Sequence, residues 1–303
     1  SSTSRGLGDV YKRQALVLIA DHSERYQLAN ELHARPFPFH SAPGMVAFLA
    51  LKEPENAAQR DRRVDRENLI GLLDRFGAPH PKEDVTHYFG DLGRFKLKWE
   101  AHTEFVTYTI FLSNLSEKPF DGVGFDAFPK EWLEALSALR ITSVNLRLEN
   151  MIGAENNSEI ISKKLAEWFV PESLAVSKVL DESAVVASDF RIDEVGHQRF
   201  VLFIDPATDD RRVGRIVQRL CEIEMYKSMS MLGFARVRNM ARQMGNIDTE
   251  LSQIMSDMND GKVAAEVTLD NLLKVSTELE TLSAAASFRL GAVSYTHLRA
   301  HET

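Results

Sequence analysis

The hydrophobic pattern of this 303-residue chain changes at Val213. Before that residue, apolar residues form short runs interrupted by Gly and Pro, which is typical of short strands and helices. From Val213 onward they recur every three or four positions, the spacing of one helix face. These positions include Ile216, Leu220, Ile223, Ile247, Leu251, Ile254, Met258, Leu269, Leu272, Leu279, Leu282, Ala286 and Leu290. The pattern predicts an α+β fold, a domain over residues 15–208, followed by an all-helical, coiled-coil-like tail over residues 209–292.

The first domain is predicted to hold a mixed or antiparallel sheet with flanking helices. Arg94–Glu100 alternates apolar and charged residues, which predicts a half-buried strand, and Thr103–Leu112 should pair with it as a hairpin. Further strands are predicted at Met45–Lys52, at Ile141–Glu149 and, as a second hairpin around Gly196, at Ser183–Asp193 and His197–Asp205. Helices are predicted at Glu24–Ala34, Ala57–Phe76, Lys130–Leu136 and Ser158–Phe169, and a loop at Asn114–Pro129. In the tail, Gly233, Gly245 and Gly261 are expected to separate consecutive helices.

The two ends of the chain are expected not to belong to the protein. Residues 293–303 read VSYTHLRAHET, which we interpret as a translated sequencing-library adapter. Residues 1–14 are interpreted as the translation of its reverse complement. Both ends are left out of the fold prediction as adapter artefacts. The remaining sequence is therefore expected to be a metagenomic fragment that continued beyond Ala292.

Composition excludes several classes of protein. The net charge of −8 argues against a nucleic-acid partner, because a phosphate backbone requires clustered Lys and Arg. A disulfide scaffold is excluded because Cys221 is the single cysteine, and it is expected to be a buried, inert thiol. Apolar runs such as Ala15–Ala20 are far shorter than a membrane span.

One candidate ligand site lies near the end of the first predicted helix. Asn30, Glu31, His33 and Arg35 place several polar groups next to a Pro-rich stretch. Arg can bind a carboxylate or phosphate through two parallel hydrogen bonds, so this segment could contact an anionic ligand. The alternative is structural: Arg35 would cap helix carbonyl groups and pair with an acid.

One candidate metal site lies at the first hairpin. Glu100, His102 and Glu104 alternate along the chain and would share one face of a continuing strand, as the ligands of a metal ion could. The alternative is a solvated turn with cross-strand charge pairs, since a turn breaks the alternation. No nucleotide-binding, hydrolase or Cys-x-x-Cys motif is found, so no cofactor is predicted and a non-enzymatic role is favoured.

Five blocks of sequence resemble the bacterial family called domain of unknown function 3422. They lie at Asn30–Pro38, His87–Tyr108, Trp168–His197, Gly214–Gly233 and Phe288–Ala292. The family is described as uncharacterised membrane-anchored proteins. The resemblance implies an N-terminal region, a helical region and a hydrophobic C-terminal anchor, which would lie beyond Ala292. It implies no reaction and no catalytic residue.

Three hypotheses for function follow. The preferred one is a non-enzymatic, membrane-tethered scaffold that associates with itself or with a protein partner through the helical tail. Its N-terminal domain would be cytoplasmic, and the fragment itself soluble. The second is the cytosolic part of an ion transport protein, by analogy with the order of elements in CorA-type magnesium channels. The third is an enzyme that uses the region of His33 and Arg35.

Overall fold

A computed structural model describes residues 38–54, 57, 60–83, 85–151, 157–261 and 263–300, without the side chains of 157 and 285–300. The predicted helix Glu24–Ala34 and the first adapter segment lie outside these residues. The chain divides into two compact units, Ser1–Met225 and Tyr226–Thr303.

The first unit contains one eight-stranded sheet. Its strand order is β2-β3-β4-β1-β5-β8-β7-β6, and every neighbouring pair is antiparallel except β5 and β8, which are parallel. The strands are β1 (Gly44–Lys52), β2 (His87–Asp91), β3 (Lys96–Ala101), β4 (Val106–Leu112), β5 (Leu139–Asn150), β6 (Ala175–Val179), β7 (Ala184–Ser188) and β8 (Gln198–Ile204). The predicted mixed sheet is therefore confirmed.

Within the described residues, five helices accompany the sheet. They are α1 (Arg62–Arg75), α2 (Lys130–Glu134), α3 (Asn157–Trp168), α4 (Asp210–Asn259) and α5 (Ala265–Ala300). Two 3₁₀ turns lie at Val123–Ala127 and Pro171–Ser173. With flanking helices on the sheet and two long helices at the end, the α+β class with a helical tail is confirmed. None of the described helices combines the length and apolar character that a membrane span requires.

The first face of the sheet packs on α1, α2 and α3. The side chain of Asp61 caps α1 by accepting the N–H of Arg63 at 2.9 Å. Leu69, Leu72 and Leu73 then recur at helical spacing and are fully buried. Their cluster contains Leu49, Leu97, Trp99, Tyr108, Ile110 and Trp132. A second cluster places Leu165 and Phe169 against Val185, Ala187, Val201 and Phe203.

The second face of the sheet is covered by the beginning of α4. Val213, Val217 and Met225 are at most 2% exposed, and they lie four and eight residues apart. Hydrogen bonds join this helix to the sheet: Lys98 Nζ donates to Gln218 Oε1 at 3.0 Å, and Gln198 Nε2 donates to Glu224 Oε1 at 2.6 Å. The central strands of the sheet are thus covered on both faces.

This cover corrects the prediction for β3. The alternation along Arg94–Glu100 was expected to leave Lys98 and Glu100 at the surface, but both are buried, at 5% and 9% exposure. Their side chains form an ion pair at 3.2 Å beneath α4. An alternating pattern identifies two faces, but it does not show that a helix covers the charged one.

Several other predictions need correction. The tail does not break at Gly233 or Gly245, because α4 runs through both glycines, and only Gly261 lies at a break. Strands β2 and β6 were not predicted, because both carry exposed residues and lack a long apolar run.

The burial of Cys221 is confirmed, and burial raises the pKa of its thiol.

Gly214 allows α4 to approach the chain that precedes β1. A Cβ atom built at this glycine would lie 1.7 Å from the carbonyl oxygen of Pro38, a contact that no side chain can make. The backbone N–H of His40 also donates to Asp210 O at 3.4 Å. The helix and the entry to β1 therefore touch through their backbones.

We expect Gly214→Ala to destabilise the protein by at least about 2 kcal/mol, because the helix must move away from Pro38. Gly245→Ala is the matched control in the same helix, since nothing lies within 4 Å of its added Cβ atom. It should stabilise the helix by about 1 kcal/mol. Urea unfolding measures both, and similar effects of the two changes would contradict the close approach.

His40 should make stability depend on pH. Burial, with a smaller contribution from Lys96, lowers the pKa of its imidazole from 6.5 to about 4. The unfolded chain therefore binds a proton that the folded chain excludes, so stability is complete above pH 6.5 and falls as the pH decreases toward 4. The loss amounts to about 3 kcal/mol by this linkage.

The measurement is urea unfolding of wild type and His40→Gln at pH 7 and pH 4. The side chain of the variant does not titrate, while all other groups are shared, so the variant should lose less stability between the two pH values. Equal losses in the two proteins would show that folding does not lower the pKa of His40.

Candidate functional site

The sequence-predicted ligand residues Asn30, Glu31, His33 and Arg35 lie outside the described residues. Their role as a ligand site stays a prediction.

The three predicted metal ligands are not brought together. Strand β3 ends at Ala101, so the alternation that would align them stops after Glu100. Glu100 pairs with Lys98 at 3.2 Å, and Glu104 pairs with Lys52 at 3.1 Å. The ring of His102 stacks on Phe105 with centroids 4.2 Å apart. In the part of the chain that the structure describes, no group of three or more His, Cys, Asp and Glu could hold a metal ion.

The turn that carries His102 and Glu104 is held by Arg60. Its guanidinium donates to the carbonyl oxygens of His102 at 2.7 Å and Phe105 at 3.0 Å, and also to that of Thr103. The carboxylate of Asp65 accepts a further bond at 2.9 Å. Only 5% of the Arg60 side chain is exposed. The turn is therefore held in place by a buried arginine.

A cavity of about 440 Å³ opens on the first face of the sheet. Three segments form its walls: the loop after β4, the beginning of α2 and the turn before β8. The lining residues are Phe120, Asp121, Gly122, Phe125, Asp126, Phe128, Pro129, Lys130, Leu133, Asp193, Val195 and His197.

His197 lies at the inner wall of this cavity. It is 7% exposed, and its ring stacks on Phe125 with centroids 3.7 Å apart and planes at 15°. Its Nδ1 lies 2.8 Å from the hydroxyl of Ser143 on β5. Burial is the main reason that the pKa of His197 is lowered; Asp193 opposes the shift and Arg140 adds to it. The imidazole is therefore neutral at pH 7.

The Ser143 hydroxyl fixes the tautomer of His197. It lies 3.1 Å from the carbonyl oxygen of Gly196, which can only accept a hydrogen bond. Both contacts are hydrogen bonds in one tautomer, in which the hydroxyl donates to Gly196 and Nδ1 of His197 donates to Ser143. This leaves Nε2 unprotonated, with a lone pair that can accept a hydrogen bond.

The turn before β8 is built around Asp193. Its carboxylate accepts the backbone N–H groups of Val195 at 3.0 Å and His197 at 2.8 Å. Gly196 has φ of +96°, in the left-handed region, and a Cβ atom there would meet the guanidinium of Arg140 at 2.1 Å. The turn thus requires a glycine, and it fixes the backbone of His197.

The cavity is acidic. Among the described lining residues, Asp121, Asp126 and Asp193 contribute three carboxylates and Lys130 contributes one ammonium group. With His197 neutral, the lining carries a net charge of −2. The apolar part of the wall is formed by aromatic rings, so the cavity combines aromatic surface with negative charge.

Sequence patterns alone do not identify this site. They predict Gly196 in a turn, which is confirmed, and His197 at the start of a strand, whereas the strand begins one residue later at Gln198. The site residues come from three segments around 120–133, 143 and 193–197, and no local motif joins them. Only the pairing of β5 with β8 brings Ser143 next to His197.

The family described as "Protein of unknown function (DUF3422)" matches residues 20–299. The chain belongs to this family. The match covers both units, the cavity and the predicted ligand residues at 30–35. No curated protein and no solved structure matches the chain. Membership in DUF3422 therefore assigns no activity, and a function must be argued from the geometry.

We expect Arg60→Met to destabilise this DUF3422 protein by about 3 kcal/mol, because it leaves buried carbonyl groups and the Asp65 carboxylate without their donor. Arg63→Met is the matched control: Arg63 pairs with Asp61 at 2.7 Å, but its side chain is 86% exposed. This control should cost less than about 1 kcal/mol. Urea unfolding measures both, and equal small effects would show that the turn holds without Arg60.

Proposed function

We propose that this protein is a non-enzymatic interaction module that pairs with a second copy of itself through its helical unit. The observation that carries the proposal is the uneven distribution of charge and exposed apolar surface along that unit.

One end of the helical unit is basic. The α4 segment Tyr226–Met244 has four basic residues and no acidic one. The basic residues are Lys227, Arg236, Arg238 and Arg242.

The other end, where α4 and α5 meet, is acidic. Asp248–Glu280 contains eight acidic and two basic residues, a net charge of −6. The acidic residues are Asp248, Glu250, Asp257, Asp260, Glu266, Asp270, Glu278 and Glu280. The basic segment and the acidic end thus carry opposite charge.

The basic segment also exposes an apolar row. Phe234, Val237 and Met244 are 54%, 58% and 59% exposed, and their spacing of three and seven residues puts them on one helix face. Every residue from 230 to 246 except Met240 is exposed. A helix segment exposed on all sides gains little from packing, so a partner that covers this row would stabilise it.

The acidic end has an apolar row of its own. Within the helical unit, Ile247 and Ile254 of α4 pack with Val275 of α5, and Lys274 pairs with Glu250 at 3.2 Å. Leu269 and Leu273 do not belong to this cluster and are each 57% exposed. Each end of the unit therefore has exposed apolar residues.

A second copy in antiparallel orientation complements both ends. In this orientation the acidic end of each helical unit lies against the basic segment of the other copy, so the charge contact occurs at both ends of the dimer. The same arrangement covers both apolar rows. A parallel pair would instead place like charges together. An anionic membrane surface could bind the basic segment alone, but it would leave Leu269 and Leu273 exposed. These features favour a second copy.

The proposal retains the C-terminal membrane anchor and the cytoplasmic N-terminal domain that the family resemblance implies. It also retains the adapter origin of the two ends. Self-association would then cluster the anchored chains at the membrane. Fractionation of cells that express a complete gene of this family, with protease accessibility from each side, tests the anchor and the orientation.

The self-association is tested by sedimentation of the chain at micromolar concentrations. Wild type should form a dimer, and Val237→Asp should weaken it by roughly tenfold or more, because a carboxylate would be buried in the interface. Asn239→Asp is the matched control. It adds the same charge two residues away, on the opposite side of the helix.

Salt provides a second readout. Because opposite charges contribute to the pairing, the dimer should weaken between low and high ionic strength. A wild-type monomer at all concentrations, or equal effects of the two variants, would overturn the proposal. Binding of a monomer to anionic vesicles that Val237→Asp abolishes would assign the basic segment to a membrane surface instead.

A further inference from the structure

We propose that the cavity at His197 binds a small organic cation, an amine or guanidinium group attached to an apolar or aromatic body. The site lies wholly in the first unit and is independent of the self-association proposed above.

The cavity offers an aromatic surface for the body of such a ligand. Phe120, Phe125 and Phe128 line it, and the ring centroids of Phe125 and Phe128 are 6.2 Å apart at 44°. Aromatic faces attract both apolar groups and cations, because the ring face is negative. A volume of about 440 Å³ lies in the range of small-molecule sites.

The inner wall offers an unused hydrogen-bond acceptor. Nδ1 of His197 is directed at Ser143 on the sheet, so Nε2 lies at the other edge of a ring that borders the cavity. No described residue forms a hydrogen bond with Nε2. Although most of the ring is buried, Nε2 itself is accessible from the cavity, where it can accept a hydrogen bond from water or from a ligand. An N–H donor in the cavity would supply the missing bond.

The rim supplies the negative charge that a cation requires. Asp121 and Asp126 are exposed at the mouth, while Asp193 lies deeper beside His197. Lys130 is also at the mouth, but it pairs with Glu134 at 3.6 Å. An anionic ligand would meet three carboxylates, and a metal ion has no three-ligand group in the described residues. A donor-bearing cation fits both the acceptor and the charge.

The test uses calorimetric titration of the whole chain at pH 7.5 with three probes of similar shape. These are 2-phenylethylamine, the neutral 2-phenylethanol and the anionic 3-phenylpropanoate. The amine should bind more tightly than the alcohol, and the anion most weakly. Asp126→Asn should weaken amine binding by about threefold, as expected for an exposed ion pair, and leave the alcohol unchanged.

Glu194→Gln is the matched control. It removes one negative charge from an exposed residue next to the turn that does not line the cavity, so amine binding should not change. Asp126 is exposed, so neither variant should alter folding. A second readout is the ¹⁵N signal of His197 Nε2, which should move on addition of the amine as it accepts a hydrogen bond.

Three results would overturn the proposal: equal binding of the three probes, no binding of the amine, or equal effects of Asp126→Asn and Glu194→Gln. An unchanged Nε2 signal in the amine-bound protein would remove His197 from the site. None of these results depends on whether the chain forms a dimer.

Discussion

The packing of α4 on the second face of the sheet is the constraint on which the first unit depends. Without the helix, Lys98, Glu100 and the central strands would face water on that side, and the ion pair between Lys98 and Glu100 would lose its cover. The contact is close because Gly214 has no side chain to hold the helix away from Pro38. Burying charges is costly unless each has partners, and Gln218 and Glu100 provide them for Lys98.

The sequence predicts this fold to a useful extent, and the limits have physical causes. Periodicity identified the α+β domain, both hairpins and the long helical tail, since each depends on a local pattern. Periodicity failed for β3, which is buried on both faces because the distant helix α4 covers it. It also failed at Gly233, which remains helical because one glycine costs only about 1 kcal/mol within a long helix.

The candidate site was less predictable than the fold. His197 lies in no recognisable motif, and its role in the site depends on a contact with Ser143, which is 54 residues away in sequence. The metal prediction at Glu100, His102 and Glu104 came from spacing alone, whereas the structure shows two of these side chains paired with lysines. Local spacing cannot reveal which distant ammonium group will neutralise a carboxylate.

The hydrogen bonds from Arg60 to the β3–β4 turn have an evolutionary consequence. One guanidinium donates to the carbonyl oxygens of His102, Thr103 and Phe105 from a position more than 40 residues upstream. The number of residues between His102 and Phe105 is therefore fixed by the reach of a single side chain. Surface turns usually tolerate insertions and deletions. Homologous chains that retain an arginine at this position should therefore keep the turn at constant length, while those that have lost the arginine are free to vary it.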